Sequence, residues 1–104
     1  MKNEVNKLGT QDLIKEKQVL QHPLLYQVLL HNDDFTPMEF VVGVLEKFFY
    51  MDRRKAADVM LEAHIKGKAA CGFFTKDLAE TLISQIIEYA RNNEHPLVCS
   101  IDVT

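Results

Sequence analysis

The sequence predicts an α+β fold, a two-layer sandwich in the order β-α-α-β-α-β with a three-stranded antiparallel sheet and three helices. Three observations predict it. Three stretches repeat apolar residues at helical spacing and carry start or stop signals. Three short runs of β-forming residues flank them. The 104-residue length, with 47% hydrophobic and 26% charged residues, suits one small domain.

Tyr26-Gln-Val-Leu-Leu reads as the first strand, ended by the polar cluster His31-Asn-Asp-Asp. The next helix has an expected capping box, with Thr36 as N-cap, Pro37 at the first helical position and Glu39 three residues after the cap. Phe35 and Phe40 are spaced for a hydrophobic staple. Met38, Val41, Val42, Leu45, Phe48 and Phe49 form its expected core face, to about Phe49. Asp52 can cap a second helix, with Ala56, Val59, Met60 and Ala63 as its apolar stripe and Gly67 as its stop. Ala69 to Thr75 reads as the second strand, where Gly72 marks a bulge or a close approach. Thr75 is placed to cap the third helix, with Asp77 in its first turn. Its core stripe is Leu78, Ala79, Leu82, Ile83, Ile86, Ile87 and Ala90, and Asn92-Asn93 end it. After Pro96 comes a third strand, where Leu97, Cys99, Ile101 and Val103 alternate with Val98, Ser100 and Asp102.

Charge divides the chain. Residues 1–22 hold four Lys and three acids, a balance of +1; the remainder holds eight basic and twelve acidic residues, a balance of −4. The first stretch is polar and sparse in apolar residues. We read 1–23 as a flexible arm, transiently helical over Gln11–Gln21 and closed by Pro23, and 24–104 as the folded domain. A net −3 argues against a nucleic-acid partner. No apolar run approaches the ~20 residues of a membrane span, and Met1 to Gln11 lack the core of a secretory signal. Cys71 and Cys99 are then expected to be reduced thiols in a cytoplasmic protein.

The sequence has no phosphate loop, paired CxxC, HExxH or GxSxG motif. An enzyme would be built on His31, Asp33, Asp34 and His64, as a small metal-dependent hydrolase. The local reading of the same residues is that Asn32 and Asp33 cap the strand and Asp34 starts a turn. Cys71, Cys99 and His95 make a conceivable soft-metal set, although buried structural thiols fit the strand-like context better.

Leu30-His-Asn-Asp-Asp-Phe-Thr-Pro-Met-Glu-Phe-Val-Val resembles the signature of the ClpS family of Clp protease adaptors. So do Met60-Leu-Glu-Ala-His64 with Gly67, Cys71-Gly-Phe-Phe-Thr, Ala79-Glu-Thr, Tyr89-Ala-Arg and His95-Pro-Leu, in unbroken order over roughly residues 24–102. The resemblance implies a non-enzymatic adaptor for proteins with N-terminal Leu, Phe, Tyr or Trp (N-degrons). It would hand them to a ClpA-like AAA+ unfoldase, through that partner's N-terminal domain. It assigns the α-amino group to Asn32, Asp33 and His64, and the side-chain pocket to Met38, Val41, Met60, Ala63 and Leu97, with Thr36 and Pro37 at the rim. By periodicity alone, Met38, Val41, Met60 and Leu97 would be core.

The resemblance further implies unfoldase docking at Asp77, Glu80 and Leu82, and a role for the arm in delivery. No cofactor or metal is implied, and a monomer is expected. Two departures stand out. The family usually has Val where this chain has Ala63, which implies a deeper pocket favouring Phe, Tyr or Trp over Leu. It usually has Glu at the position of Asp77 and Lys at that of Leu82, so docking here would lack a cation. A third class, a ribosomal-type partner domain, predicts no preference for free N-termini.

Overall fold

The computed structural model describes residues 24–103, so the arm expected over 1–23, with its helical stretch, lies outside the described residues. The elements are β1 (Tyr26–His31), α1 (Met38–Phe49), α2 (Arg53–Lys66), β2 (Lys68–Phe74), α3 (Lys76–Asn92) and β3 (Val98–Val103). Order and number are those expected. The sheet is antiparallel in the order β2-β1-β3, with β1 at its centre.

Alternation along β1 sends Val28 and Leu30 into the core and leaves Gln27, Leu29 and His31 on the other face. Val44 and Leu45 of α1, Ala56 and Ala63 of α2, and Ala79 and Ile86 of α3 join that core. Small alanines on α2 and α3 let the helix backbones come close to their neighbours. The pairing shifts register between Val28 and Leu29, opposite Gly72 and Ala70, which leaves Cys71 as the extra residue of a bulge. Gly72 has φ 151°, and a Cβ there would lie 3.0 Å from the Phe74 ring, so glycine is required.

Both cysteines are free and buried. Burial, aided for Cys71 by the nearness of Cys99, pushes both thiols up to about 12. They sit on strands separated by β1, hence roughly 10 Å apart from strand spacing, beyond disulfide reach.

The start of α1 departs from expectation. Its first helical residue is Met38 and Pro37 is the N-cap residue, with no side-chain cap. The Pro37 carbonyl accepts the Val41 N–H at 3.1 Å. No capping box forms. The Thr36 hydroxyl instead donates to Asp33 Oδ2 at 2.8 Å, which holds the side chain in the loop, and the helix begins one residue later than a Thr36 cap requires. Glu39 pairs with Arg53 across the α1–α2 junction. The staple is absent too: Phe35 is 81% exposed, and Phe40 packs on Tyr89 and His95. Two expected core residues, Met38 and Leu78, are about half exposed. Thr75 is the N-cap residue of α3 but makes no side-chain cap bond. Local signals held for α2: the Asp52 side chain accepts the Lys55 N–H at 2.8 Å, and Gly67 ends the helix at φ 94°.

Candidate functional site

A cavity of about 290 Å³ opens between the β1–α1 loop, the start of α1 and the last two turns of α2. It is lined by Asn32, Asp33, Asp34, Thr36, Met38, Val41, Met60, Ala63 and His64. Small-molecule pockets usually hold about 300–1,000 Å³, so this one suits a single side chain with its polar head.

Local chemistry explains why these elements meet. Gly67, in its left-handed conformation, donates to the Ala63 carbonyl at 2.8 Å and so closes α2. Its own carbonyl accepts the Asn32 N–H at 2.9 Å. That bond ties the end of β1 to the end of α2 and brings Asn32 beside the turn that carries His64. The loop beyond is held by Asp33. Its Oδ1 accepts the Phe35 N–H at 2.8 Å and the Thr36 N–H at 2.7 Å, while Oδ2 holds the Thr36 hydroxyl. Three of the roughly four lone-pair sites of that carboxylate are therefore committed to the loop.

The side chains of Asn32, Asp34 and His64 have no hydrogen-bond partner among the described residues. They bring to the mouth an amide oxygen, a carboxylate and an imidazole ring. Below them the floor is apolar. Val41 and Ala63 are 9% and 3% exposed, and the thioether of Met60 is half-buried beside them. Met38 forms the outer wall, half exposed. A group that donates hydrogen bonds and carries positive charge, attached to a large apolar side chain, fits this layout.

The structure thus gathers Asn32, Asp33, His64, Thr36, Met38, Val41, Met60 and Ala63 around one cavity. Pro37 and Leu97 are not among its lining. Pro37 is exposed at the N-cap, and Leu97, 4% exposed, belongs to the core cluster that also holds Val41 and Ala63. Asp34 lines the cavity although the adaptor reading had left it out. A sequence signal existed: Asp33, not Asp34, has Thr at i+3 to engage it.

The hydrolase set is incomplete at the cavity: Asp33, Asp34 and His64 line it, and His31 does not. The His31 ring turns away to Ser100 on β3, with Nε2 2.5 Å from Oγ. Among the described residues no three His, Cys, Asp or Glu side chains lie close enough to hold a metal ion. The expected docking residues lie elsewhere, on α3. Asp77 and Glu80 line a shallow groove with Thr81, Ser84 and Gln85, and Leu82 is half-buried next to it.

Fold and site together define a small ligand-binding domain with an amine-complementary mouth over a one-side-chain pocket. The chain belongs to the ClpS family: the family model, described as ATP-dependent Clp protease adaptor protein ClpS, matches residues 21–100. A solved structure, Agrobacterium tumefaciens ClpS2 bound to L-phenylalaninamide, is 35% identical and superposes with a TM-score of 0.77. The alignment covers 80% of this chain and 100% of that one. The family is one of non-catalytic substrate adaptors for Clp proteases. No described helix is long and apolar enough to cross a membrane.

Proposed function

We propose that the chain binds proteins bearing N-terminal Leu, Phe, Tyr or Trp and delivers them to a ClpA-like AAA+ unfoldase for degradation. The observation that carries this reading is the unspent acceptor set of Asn32, Asp34 and His64 placed over the apolar floor of Val41, Met60 and Ala63. A free α-amino group is mostly protonated near neutral pH and has only donors to offer. Each charge-assisted bond to it contributes about 1.5–3 kcal/mol, and burial of a Leu or Phe side chain about the same. After association costs, that suffices for micromolar binding, roughly −8 kcal/mol. Phenylalaninamide, the compound bound to the Agrobacterium relative, has both handles: a free α-amine and a benzyl group.

In this reading Asn32, Asp33 and His64 receive the amine, directly or through water, with Asp34 supplying the uncommitted charge. Met38, Val41, Met60 and Ala63 form the walls, Thr36 and Pro37 the rim, and Leu97 backs the pocket from the core. Asp77, Glu80 and Leu82 contact the N-terminal domain of the unfoldase. Residues 1–23 serve delivery, and the adaptor acts as a cytoplasmic monomer.

A degradation assay tests the proposal. A reporter that begins with Phe should be degraded by the unfoldase and its protease only when the adaptor is added, and one that begins with Met should persist. Deleting residues 2–20 should spare peptide binding and abolish delivery. Equal turnover of the two reporters with and without the adaptor would refute the proposal.

A further inference from the structure

Phe35 has no part in the pocket, yet its placement is specific. It stands between Asp34 and Thr36, which both line the cavity. Its N–H is held by Asp33 Oδ1 at 2.8 Å, so its backbone is fixed at the rim. The residue is 81% exposed. One exposed Phe is ordinary on a protein surface. A second apolar side chain, Met38, three residues further along the chain, lines the cavity and stands about half exposed.

Resting on the reading of the pocket above, we propose that Phe35 and the outer side of Met38 form a second subsite, which takes an aromatic side chain at the second residue of the bound N-terminus. The geometry of the first residue directs the chain there. Its Cα has three heavy branches. The amine goes to the side of Asn32 and His64, and the side chain goes down toward Val41 and Ala63. The carbonyl branch is left the remaining side of the mouth, formed by Thr36 and Met38. An extended chain advances about 3.3–3.6 Å per residue, so the second residue stands over this rim. Exposed Phe and Met offer it a ring and a polarisable thioether, both suited to aromatic partners. Phe35 is preorganised by its loop, so little ordering cost opposes the contact.

Fluorescence anisotropy with peptides Phe-X-, differing only at X, tests the subsite on the full chain. Peptides with Phe or Tyr at X should bind about three- to tenfold more tightly than the peptide with Gly. Phe35→Ala should erase that advantage and leave the Phe-Gly peptide within about twofold of its original affinity. Far-UV circular dichroism confirms that the variant is folded. Equal affinities across X in the unaltered chain would overturn the subsite while the pocket stands. An aromatic advantage that survives Phe35→Ala would also overturn it. Failure of every free-amine peptide to bind would overturn the reading of the pocket and the subsite with it.

Discussion

Both oxygens of Asp33 are occupied within its own loop, whereas the neighbouring Asp34 carboxylate faces the cavity without a partner among the described residues. In the proposed reading, two adjacent aspartates divide the work of shaping the loop and meeting a charge. Asp34→Asn removes charge from the mouth and disturbs no bond among the described residues. It should weaken binding of a free-amine peptide about tenfold, with stability unchanged within about 0.5 kcal/mol. Asp33→Asn replaces the acceptor of the Thr36 hydroxyl with an amide group, or forfeits the two backbone bonds if it flips. It should cost about 1–2 kcal/mol of stability and weaken binding as the loop loosens. Urea unfolding and peptide titration on both variants separate the two roles. Ala63, 3% exposed, lines the cavity, and in the proposed reading it sets the depth of the pocket. Ala63→Val adds two methyl groups there, and should shift relative affinity from Trp toward Leu by about three- to tenfold. An unchanged Trp-to-Leu ratio would show that the floor does not discriminate.

At the scale of elements, the structure separates signals that were legible from those that were not. The Asp52 cap and the Gly67 stop of α2 could be read because each depends on residues within a single turn. The Thr36 box could not, because the helix starts one residue later, with Pro37 at the cap, and the Thr36 side chain is held in the loop by Asp33 three residues upstream. Leu78 and Met38 follow the helical period yet lie half exposed, since periodicity gives a face but not how far its neighbour covers it. The same limit hid the pocket: Val41, Met60 and Ala63 have core spacing whether or not a cavity lies above them, and only the resemblance singled them out. Gly72 was legible as a special position, and its two constraints predict a cost. Gly72→Ala imposes a positive φ on a side chain and drives Cβ to 3.0 Å from the Phe74 ring at the bulge. Urea unfolding should show a loss of about 1–3 kcal/mol. A midpoint at or above that of the parent chain would mean that β2 relaxes freely around the bulge.

For the whole molecule, the net charge of −3 conceals an uneven chain. A polar stretch of +1 precedes a folded domain of −4, and part of that acidity, Asp33 and Asp34, lines the cavity that Val41, Met60 and Ala63 also line. The amine is the point at which every part of the account meets: the bond from Asn32 to Gly67 that sets the mouth, the carboxylate of Asp34, without a partner among the described residues, and the imidazole of His64. The most direct test is a titration with a Phe-initiated peptide and its N-acetylated twin, with and without chelator. Acetylation removes the charge and all but one donor, and leaves the phenyl group unchanged. The account predicts micromolar binding of the free amine, indifferent to chelator, and binding of the acetylated peptide weaker by more than about 100-fold, the loss of two charge-assisted bonds of about 1.5 kcal/mol or more each. Equal affinity for the two peptides would contradict it.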